Sequence, residues 1–248
     1  MWSASNPTRI EIAADAEALA ERYAGWFAGV VAAAEAPVRI ALCGGRSPQP
    51  LFRLLASERW CKGIDWAKLE IFWSDERFVA HEDTESNVHL ARMLLLDHVP
   101  LTSAQIHPMP TDGDLGECAS RYETLLKTEY GSDLLDPARP LFDVMLLGIG
   151  ENGHTASLMP GDPALEDRAR WVAAVRHGVP QERLTLTYPA IASSRFVTFL
   201  VTGEDKSRIV AQVRADDRSL PAARVTSLGE LIWFLDTAAA GGVEKSNL

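Results

Sequence analysis

The feature that most limits the fold is an alternation of short apolar runs with longer stretches of helical periodicity. The run FDVMLLG at residues 142–148 is almost continuously apolar, as expected for a parallel strand covered on both faces. Further strands are predicted at 38–42, 69–74, 183–188 (half-exposed), 195–203 and 231–236, and helices at 15–34, 48–55, 87–96, 117–130 and 206–215. This order predicts an α/β fold: an open, mainly parallel sheet with right-handed crossovers and helices on both faces.

Length and composition are consistent with one domain. The chain has 248 residues, of which 47% are hydrophobic and 23% are charged. These values are typical of globular proteins and exclude collagen-like, disordered and disulfide-scaffold classes. No composition shift marks a linker, and no internal repeat is visible. We therefore expect a single domain over residues 1–248, with its core at about 8–240 and a flexible tail at 241–248.

The charge balance limits the possible partners. With 24 Lys and Arg against 34 Asp and Glu, the formal net charge is −10. An acidic chain repels phosphate backbones, so nucleic acid is not expected as a partner. An anionic small molecule requires a local group of basic side chains that overcomes the overall field.

Cysteine usage and the N-terminal segment indicate the compartment. The three cysteines, Cys43, Cys61 and Cys118, form no CxxC pair, so we expect reduced thiols, no disulfide framework and no zinc site. No basic segment followed by an apolar one opens the chain, and the most apolar stretch, Trp26–Ala34, is too short to span a membrane. We expect a soluble, cytoplasmic protein without a membrane partner.

The loops after the predicted strands carry the candidate chemistry, because ligands of parallel α/β sheets bind at the carboxyl ends of the strands. The first loop contains Gly44-Gly45-Arg46-Ser47, where glycines permit close approach of a ligand and a helix N-terminus offers free N–H groups to an anion. The second contains Asp75-Glu76-Arg77, which is suited to proton transfer or to orienting a guanidinium for phosphate. Taken alone, a plain strand-to-helix turn explains the first segment equally well, and a solvated charged loop explains the second segment better.

The third loop is the most informative. Residues 148–155 read GIGENGHT, which formally matches the dinucleotide motif GxGxxG. The acidic residues about 20 positions further on, Glu166 and Asp167, lie in a polar stretch and not at a strand end. We therefore expect no nicotinamide cofactor. His154 in this glycine-rich turn is suited to act as a general base near neutral pH.

The fourth loop ends at Lys206, which opens a predicted helix. A cation is unfavourable there unless it serves an anion. Together with Arg46, Arg77 and Arg183, it would form the basic pocket that the charge balance requires. A surface lysine beside two acidic residues is the alternative.

These loops together resemble one family. In order, the segments LCGGRSP, SDERFVAHEDTESN, FDVMLLGIGENGHTASLMPG, RLTL and FLVTGEDK are similar to the blocks of 6-phosphogluconolactonases, within the glucosamine-6-phosphate isomerase/6-phosphogluconolactonase superfamily. The resemblance implies a Rossmann-like (NagB-like) open sheet and hydrolysis of 6-phospho-D-glucono-1,5-lactone to 6-phospho-D-gluconate. It implies no metal and no cofactor, His154 as general base, and phosphate binding by Arg77 and Lys206.

The resemblance also defines the expected site. Asn152 stands where the family often has Asp, so Glu151 or Glu76 is expected to assist His154 in catalysis. Arg46 replaces a serine of the family pattern and is compatible with phosphate or lactone recognition. The expected substrate-binding residues are Gly44, Gly45, Arg46, Ser47, Asp75, Arg77, Gly150, Asn152, Gly153, Arg183 and Lys206. The expected partner is a phosphosugar lactone, bound by a monomer or weak homodimer.

Backbone N–H groups of the Gly44-Gly45 turn or of the turn at 150–153, or Arg77, are the candidates for stabilising a developing oxyanion. Ser157 is expected to serve in packing and not as a nucleophile.

Two alternatives remain at this stage. The first is a glucosamine-6-phosphate isomerase. In those enzymes the block after the histidine resembles Ile-Ala-Phe-Asn-Glu-Pro, whereas this chain has TASLMP at 155–160 and lacks the glutamate. A non-catalytic sugar-phosphate sensor is the second alternative, although no DNA-binding helix-turn-helix is visible in the sequence.

Overall fold

A six-stranded sheet forms the centre of the computed structural model, which describes residues 8–176 and 180–241. The strands are β1 Thr8–Ala13, β2 Val38–Leu42, β3 Leu69–Trp73, β4 Asp75–Arg77, β5 Phe142–Leu147, β6 Val172–Val175, β7 Arg183–Leu186, β8 Ser194–Val201 and β9 Glu230–Asp236. The helices are α1 Ala16–Ala33, α2 Gln49–Leu55, α3 Glu58–Gly63, α4 Asn87–Leu94, α5 Leu115–Tyr130, α6 Tyr188–Ala192, α7 Ser207–Arg214 and α8 Thr237–Ala240.

The central sheet has the order β1-β9-β8-β5-β2-β3, and every neighbouring pair is parallel. Consecutive residues of β5, from Val144 to Leu147, are all buried. Successive side chains of a strand point to opposite faces, so both faces of the sheet are covered. The predicted mainly parallel α/β fold is confirmed.

A second, antiparallel sheet with the order β4-β7-β6 lies beside the cavity described below. Asp75, Glu76 and Arg77, which were predicted to lie in a loop, form its strand β4. Residues 183–186 form a strand as predicted, but the expected half-exposure of this strand is wrong, because Leu184, Thr185 and Leu186 are all fully buried. Strands β1 and β6 were not predicted from the sequence.

Local signals explain where the long helices begin and end. Asp15 caps α1 as the sequence predicts, because its carboxylate accepts a hydrogen bond from Ala18 N at 2.8 Å. Asp114 caps α5, which begins two residues before the predicted boundary, and Gly131 ends it in the left-handed conformation with φ 74°. The expected tail at 241–248 lies outside the described residues except for Gly241.

Among the described residues, no helix is both long enough and apolar enough to cross a membrane.

The core on one face of the sheet is aromatic. Phe234 of β9 is fully buried, and its ring centroid lies 4.7 Å from that of Tyr23 and 5.5 Å from that of Trp26, both on α1. These contacts fix α1 against the sheet.

We expect Phe234→Ala to lower the free energy of unfolding by about 3–5 kcal/mol, because it leaves a cavity between α1 and β9. Urea unfolding followed by circular dichroism measures this loss. The control is Leu134→Ala, whose side chain is 78% exposed and whose effect should stay within about 0.5 kcal/mol. A loss below about 1 kcal/mol for Phe234→Ala would contradict this account of the core.

Candidate active site

A cavity of about 430 Å³ opens at the carboxyl ends of the parallel strands, where the sequence analysis places the ligand. Of the predicted site residues it is lined by Gly44, Gly45, Arg46, Ser47, Asp75, Arg77, Gly150, His154, Arg183 and Lys206. Glu76, Glu151, Asn152 and Gly153 do not line it. Lining residues that the sequence analysis missed include Cys43, Asn87, Ala156, Thr202 and Asp205.

The first loop is glycine-rich because another side chain occupies the space beside it. A Cβ atom on Gly44 would lie 1.8 Å from Asn87 Oδ1, so any larger residue displaces Asn87. Asn87 in turn donates from Nδ2 to the backbone oxygen of Asp75 at 2.9 Å. Gly45 has φ 92°, a conformation that favours glycine. The absence of a side chain at Gly44 therefore lets Asn87 pack between this loop and β4. The local sequence does not reveal this role of Gly44.

Asn152 orients the imidazole of His154. Asn152 Oδ1 accepts from the His154 backbone N–H at 3.2 Å and lies 2.5 Å from His154 Nδ1. A backbone N–H only donates, which identifies the amide atom as the oxygen. Nδ1 must therefore carry a proton and donate it to the same oxygen. In the neutral ring this leaves the Nε2 lone pair free, as a general base requires.

Gly150 makes room for this ring. A Cβ atom at position 150 would lie 2.0 Å from His154 Cε1, so the imidazole packs directly over the backbone of the turn. Gly150 N donates to His154 O at 2.9 Å and Gly153 N donates to Gly150 O at 2.9 Å. These two N–H groups are thus engaged within the turn, which removes them as oxyanion donors.

The environment of His154 favours its neutral form. Burial lowers its pKa, and the charges of Arg183, Lys206 and Arg77 act in the same direction, whereas the carboxylate of Asp75 raises it. These effects together favour the uncharged imidazole over the imidazolium.

Glu76 occupies a different place from the one expected, and the structure corrects its predicted assistance to His154. Its side chain is fully buried, and its carboxylate accepts from the backbone N–H groups of Arg77, Asn87 and Val88 at 2.7, 2.7 and 2.9 Å and from Ser86 Oγ at 2.9 Å. It therefore satisfies the N-terminus of α4 and does not reach His154. Burial raises the pKa of the Glu76 carboxyl.

Glu151 also points elsewhere, because its side chain is 74% exposed and its carboxylate lies 4.0 Å from Lys206 Nζ. Gly153 is buried against Leu220, whose Cδ2 would lie 2.8 Å from a Cβ atom at position 153. Neither residue hydrogen-bonds to the His154 side chain among the described contacts.

Four cationic side chains line the cavity and provide the local positive charge that the acidic composition requires. Arg77 and Arg183 stand directly opposite each other on β4 and β7, and the buried Nε atom of each has no hydrogen-bond partner among the described residues. Burial, followed by the charge of Arg77, lowers the pKa of Arg183. Arg46 and Lys206 share Asp205, whose carboxylate lies 3.1 and 3.8 Å from them. Like charges in opposite positions are unfavourable unless an anion joins them.

Asp75 is the buried acidic group of the cavity wall, whereas Asp205, which also lines the cavity, is exposed. Asp75 is 5% exposed, and its carboxylate accepts hydrogen bonds from Ser157 Oγ at 2.7 Å and from Asn87 Nδ2 at 3.3 Å. In residues 8–176 and 180–241, no group of three or more His, Cys, Asp and Glu side chains is arranged to hold a metal ion. Among the described residues the cavity is thus lined by one imidazole, His154, together with carboxylates and four cationic side chains.

Comparison with known proteins gives a consistent result. The model of the glucosamine-6-phosphate isomerases/6-phosphogluconolactonase family matches residues 14–233. A 6-phosphogluconolactonase of Synechocystis is 41% identical over 204 residues, which cover 81% of this chain and 82% of that protein. A 6-phosphogluconolactonase of Mycobacterium tuberculosis is 41% identical over 221 residues, which cover 86% and 87%. The solved structure of a 6-phosphogluconolactonase from Trypanosoma brucei has a TM-score of 0.77 and 27% identity, covering 95% of this chain and 98% of that one.

We expect Glu76→Gln to lower the free energy of unfolding by about 1–3 kcal/mol, because an amide NH₂ replaces an acceptor among buried N–H donors. Urea unfolding measures the loss. The control is Glu58→Gln on α3, whose carboxylate is 81% exposed and pairs with Lys62; its effect should stay below about 0.5 kcal/mol. Equal effects of the two substitutions would rule out the capping role.

We expect Asn152→Asp to raise the pKa of His154, because it adds a negative charge beside Nδ1 and stabilises the imidazolium. NMR titration of the His154 ring measures the shift, and the spectrum of His154→Gln assigns the signal. The control, Glu151→Gln, removes an exposed charge one residue away and should leave the His154 titration nearly unchanged. A pKa of His154 that stays the same in Asn152→Asp would show that Asn152 does not orient the ring.

Proposed function

The chain belongs to the glucosamine-6-phosphate isomerase/6-phosphogluconolactonase family, and we infer that it is the lactonase of that family. It hydrolyses 6-phospho-D-glucono-1,5-lactone to 6-phospho-D-gluconate, the second step of the oxidative pentose phosphate pathway, and is a carboxylic ester hydrolase. The relatives from Synechocystis and Mycobacterium tuberculosis, both named 6-phosphogluconolactonase, support this activity at 41% identity.

The observation that carries the proposed mechanism is the state of His154. It lines the cavity, its Nδ1 is fixed by Asn152, and burial keeps its pKa low. In this mechanism Nε2 takes a proton from water as the water oxygen attacks the lactone carbonyl carbon. The same nitrogen then gives the proton to the ring oxygen as the carbon–oxygen bond of the ring breaks. This general acid–base catalysis is typically worth ~10²–10⁴-fold in rate.

The cationic side chains bind the phosphate in this proposal. Arg46, Arg77, Arg183 and Lys206 all line the cavity, and an anion relieves the repulsion between Arg77 and Arg183. Binding energy from the remote phosphate then holds the carbonyl carbon in line with the attacking water.

The Gly44-Gly45 turn is the oxyanion site in this proposal. Both glycines line the cavity, and neither N–H group donates to an acceptor among the described residues. Donors already in place stabilise negative charge as it develops on the carbonyl oxygen.

The cellular setting belongs to the same proposal. We assign the enzyme to the cytoplasm, as a single-domain monomer or weak homodimer that needs neither metal nor organic cofactor. Sedimentation velocity over a range of protein concentrations distinguishes a monomer from a weak dimer.

The test generates the lactone in place with glucose-6-phosphate dehydrogenase and detects the product with 6-phosphogluconate dehydrogenase. We expect the wild-type protein to accelerate hydrolysis above the spontaneous rate and His154→Gln to lose ~10²–10⁴-fold of kcat. Because burial lowers the pKa of His154, the rate should fall only below the ordinary histidine pKa as the pH decreases. The control is His98→Gln, an exposed histidine bonded to the Met93 carbonyl oxygen.

Near-wild-type activity of His154→Gln would remove it from the chemistry while keeping the function. No acceleration by the wild-type protein would refute the lactonase, and ammonia release from glucosamine 6-phosphate would then indicate the isomerase. Tight binding of phosphosugar without turnover would indicate the sensor.

A further inference from the structure

Ser157 connects two charged residues of the cavity wall without lining the cavity itself. Its side chain is fully buried. Its Oγ lies 2.7 Å from Asp75 Oδ2 and 3.4 Å from Arg183 Nη1. Asp75 and Arg183 belong to neighbouring strands and both line the cavity, whereas Ser157 lies behind them. A side chain in this place acts on the site only through its two partners.

The backbone fixes Ser157 independently of these contacts. Ser157 N donates to Thr185 Oγ1 at 3.1 Å, and Thr185 is the register partner of Asp75 in the second sheet. The preceding residue, Ala156, has φ 47° and lines the cavity. A left-handed alanine is strained, and such conformations persist where the surrounding structure demands them. The turn after His154 is thus bent so that residue 157 faces β4 and β7.

The direction of the Ser157 hydroxyl bond follows from the chemistry of its partners. An ionised carboxylate only accepts hydrogen bonds, and a guanidinium only donates them. The single Ser157 proton therefore points to Asp75, and an oxygen lone pair faces Arg183. A hydroxyl engaged in this way and placed behind the cavity is not a nucleophile, which agrees with the expectation from the sequence.

His154 must become positively charged when it takes a proton from water. The charged groups that act on it are Asp75 from β4, Arg77 from β4, Arg183 from β7 and Lys206 before α7. Three of these are cations and oppose the protonated ring. Asp75 is the carboxylate that offsets them.

Asp75 depends strongly on Ser157. Apart from Ser157, its carboxylate has longer contacts with Asn87 Nδ2 at 3.3 Å and Ser74 Oγ at 3.5 Å. Its neighbours also include the thiol of Cys43, which is buried and protonated, and the guanidinium of Arg183. Removing the 2.7 Å bond takes away the shortest hydrogen bond that fixes the Asp75 carboxylate.

We propose that Ser157 is a positioning residue of the lactonase: its hydroxyl holds the Asp75 carboxylate in place and directed at the cavity, where that charge stabilises His154 after it takes up the proton. The proposal rests on the proposed function for its effect on rate. Its effect on the resting protein does not depend on turnover.

The experiment compares Ser157→Ala, Asp75→Asn and the double variant. We expect Ser157→Ala to lower kcat about tenfold or more and to move the acidic limb of the pH profile to lower pH, because the imidazolium loses its counter-charge. Asp75→Asn should move the limb in the same direction. The double variant should show no further shift, since both substitutions remove one interaction.

Two further variants separate positioning from packing. Ser157→Cys keeps a γ atom at this position, slightly larger than the oxygen, but supplies only a weak donor, so it should behave like Ser157→Ala; full recovery by Ser157→Cys would show that packing alone matters. The control is Ser194→Ala, which removes a buried hydroxyl bonded to the Ile191 carbonyl oxygen at 2.8 Å at the amino end of β8. It should lower stability and leave kcat and the pH profile unchanged.

NMR titration of His154 in the resting protein provides the readout that does not need activity. We expect Ser157→Ala and Asp75→Asn to lower the pKa of His154 by similar amounts. If Ser157→Ala does not fold, Ser157→Cys replaces it in this comparison. An unchanged His154 titration, or shifts that add in the double variant, would overturn the proposal. Failure of the wild-type protein to hydrolyse the lactone would refute the function and leave this titration test intact.

Discussion

Parallel pairing of β2, β5 and β8 is the constraint on which the site depends. The registers Ile40 with Val144 and Val144 with Phe196 bring the carboxyl ends of the three strands to one edge of the sheet. The loops after β2 and β8 then meet directly, with Ser47 Oγ 3.0 Å from Thr202 Oγ1.

The fold holds two cationic side chains close together, and their mutual repulsion does not stabilise the protein in the absence of a ligand. Arg77 and Arg183 are held opposite each other by the antiparallel pairing of β4 and β7. Their partly buried guanidiniums lie in a chain whose formal charge is −10. The overall field does little to repel an anion inside such a pocket, because nearby charges in a low-dielectric wall outweigh distant, screened ones. The cost in stability is therefore confined to the cavity that the four cationic side chains line.

Local sequence patterns predicted those features of the fold and site that depend on one short segment. They did not predict features that depend on contacts between residues of different strands. The parallel sheet, the Asp15 cap and the position of His154 were all visible in short segments. Glu76 was misassigned because the segment after β3 was interpreted as a loop. In a strand, alternate side chains share a face, so Asp75 and Arg77 line the cavity while Glu76 faces α4.

Longer-range contacts left no comparable trace. The packing of Asn87 against Gly44 joins positions 43 residues apart in the sequence, and the bond between Ser157 and Asp75 spans 82. Orientation and charge at His154 consequently come from different residues. The neutral amide of Asn152 fixes the tautomer of the ring but carries no charge. A carboxylate at position 152 would fix the tautomer and also supply the negative charge. The charge must then come from across the cavity, from Asp75, whose strand lies in the other sheet. A separate carboxylate acts on the imidazolium through space and not through a hydrogen bond to Nδ1. Its effect on His154 therefore depends on how the carboxylate is oriented. In our proposal the buried hydroxyl of Ser157 sets that orientation and so belongs to the site.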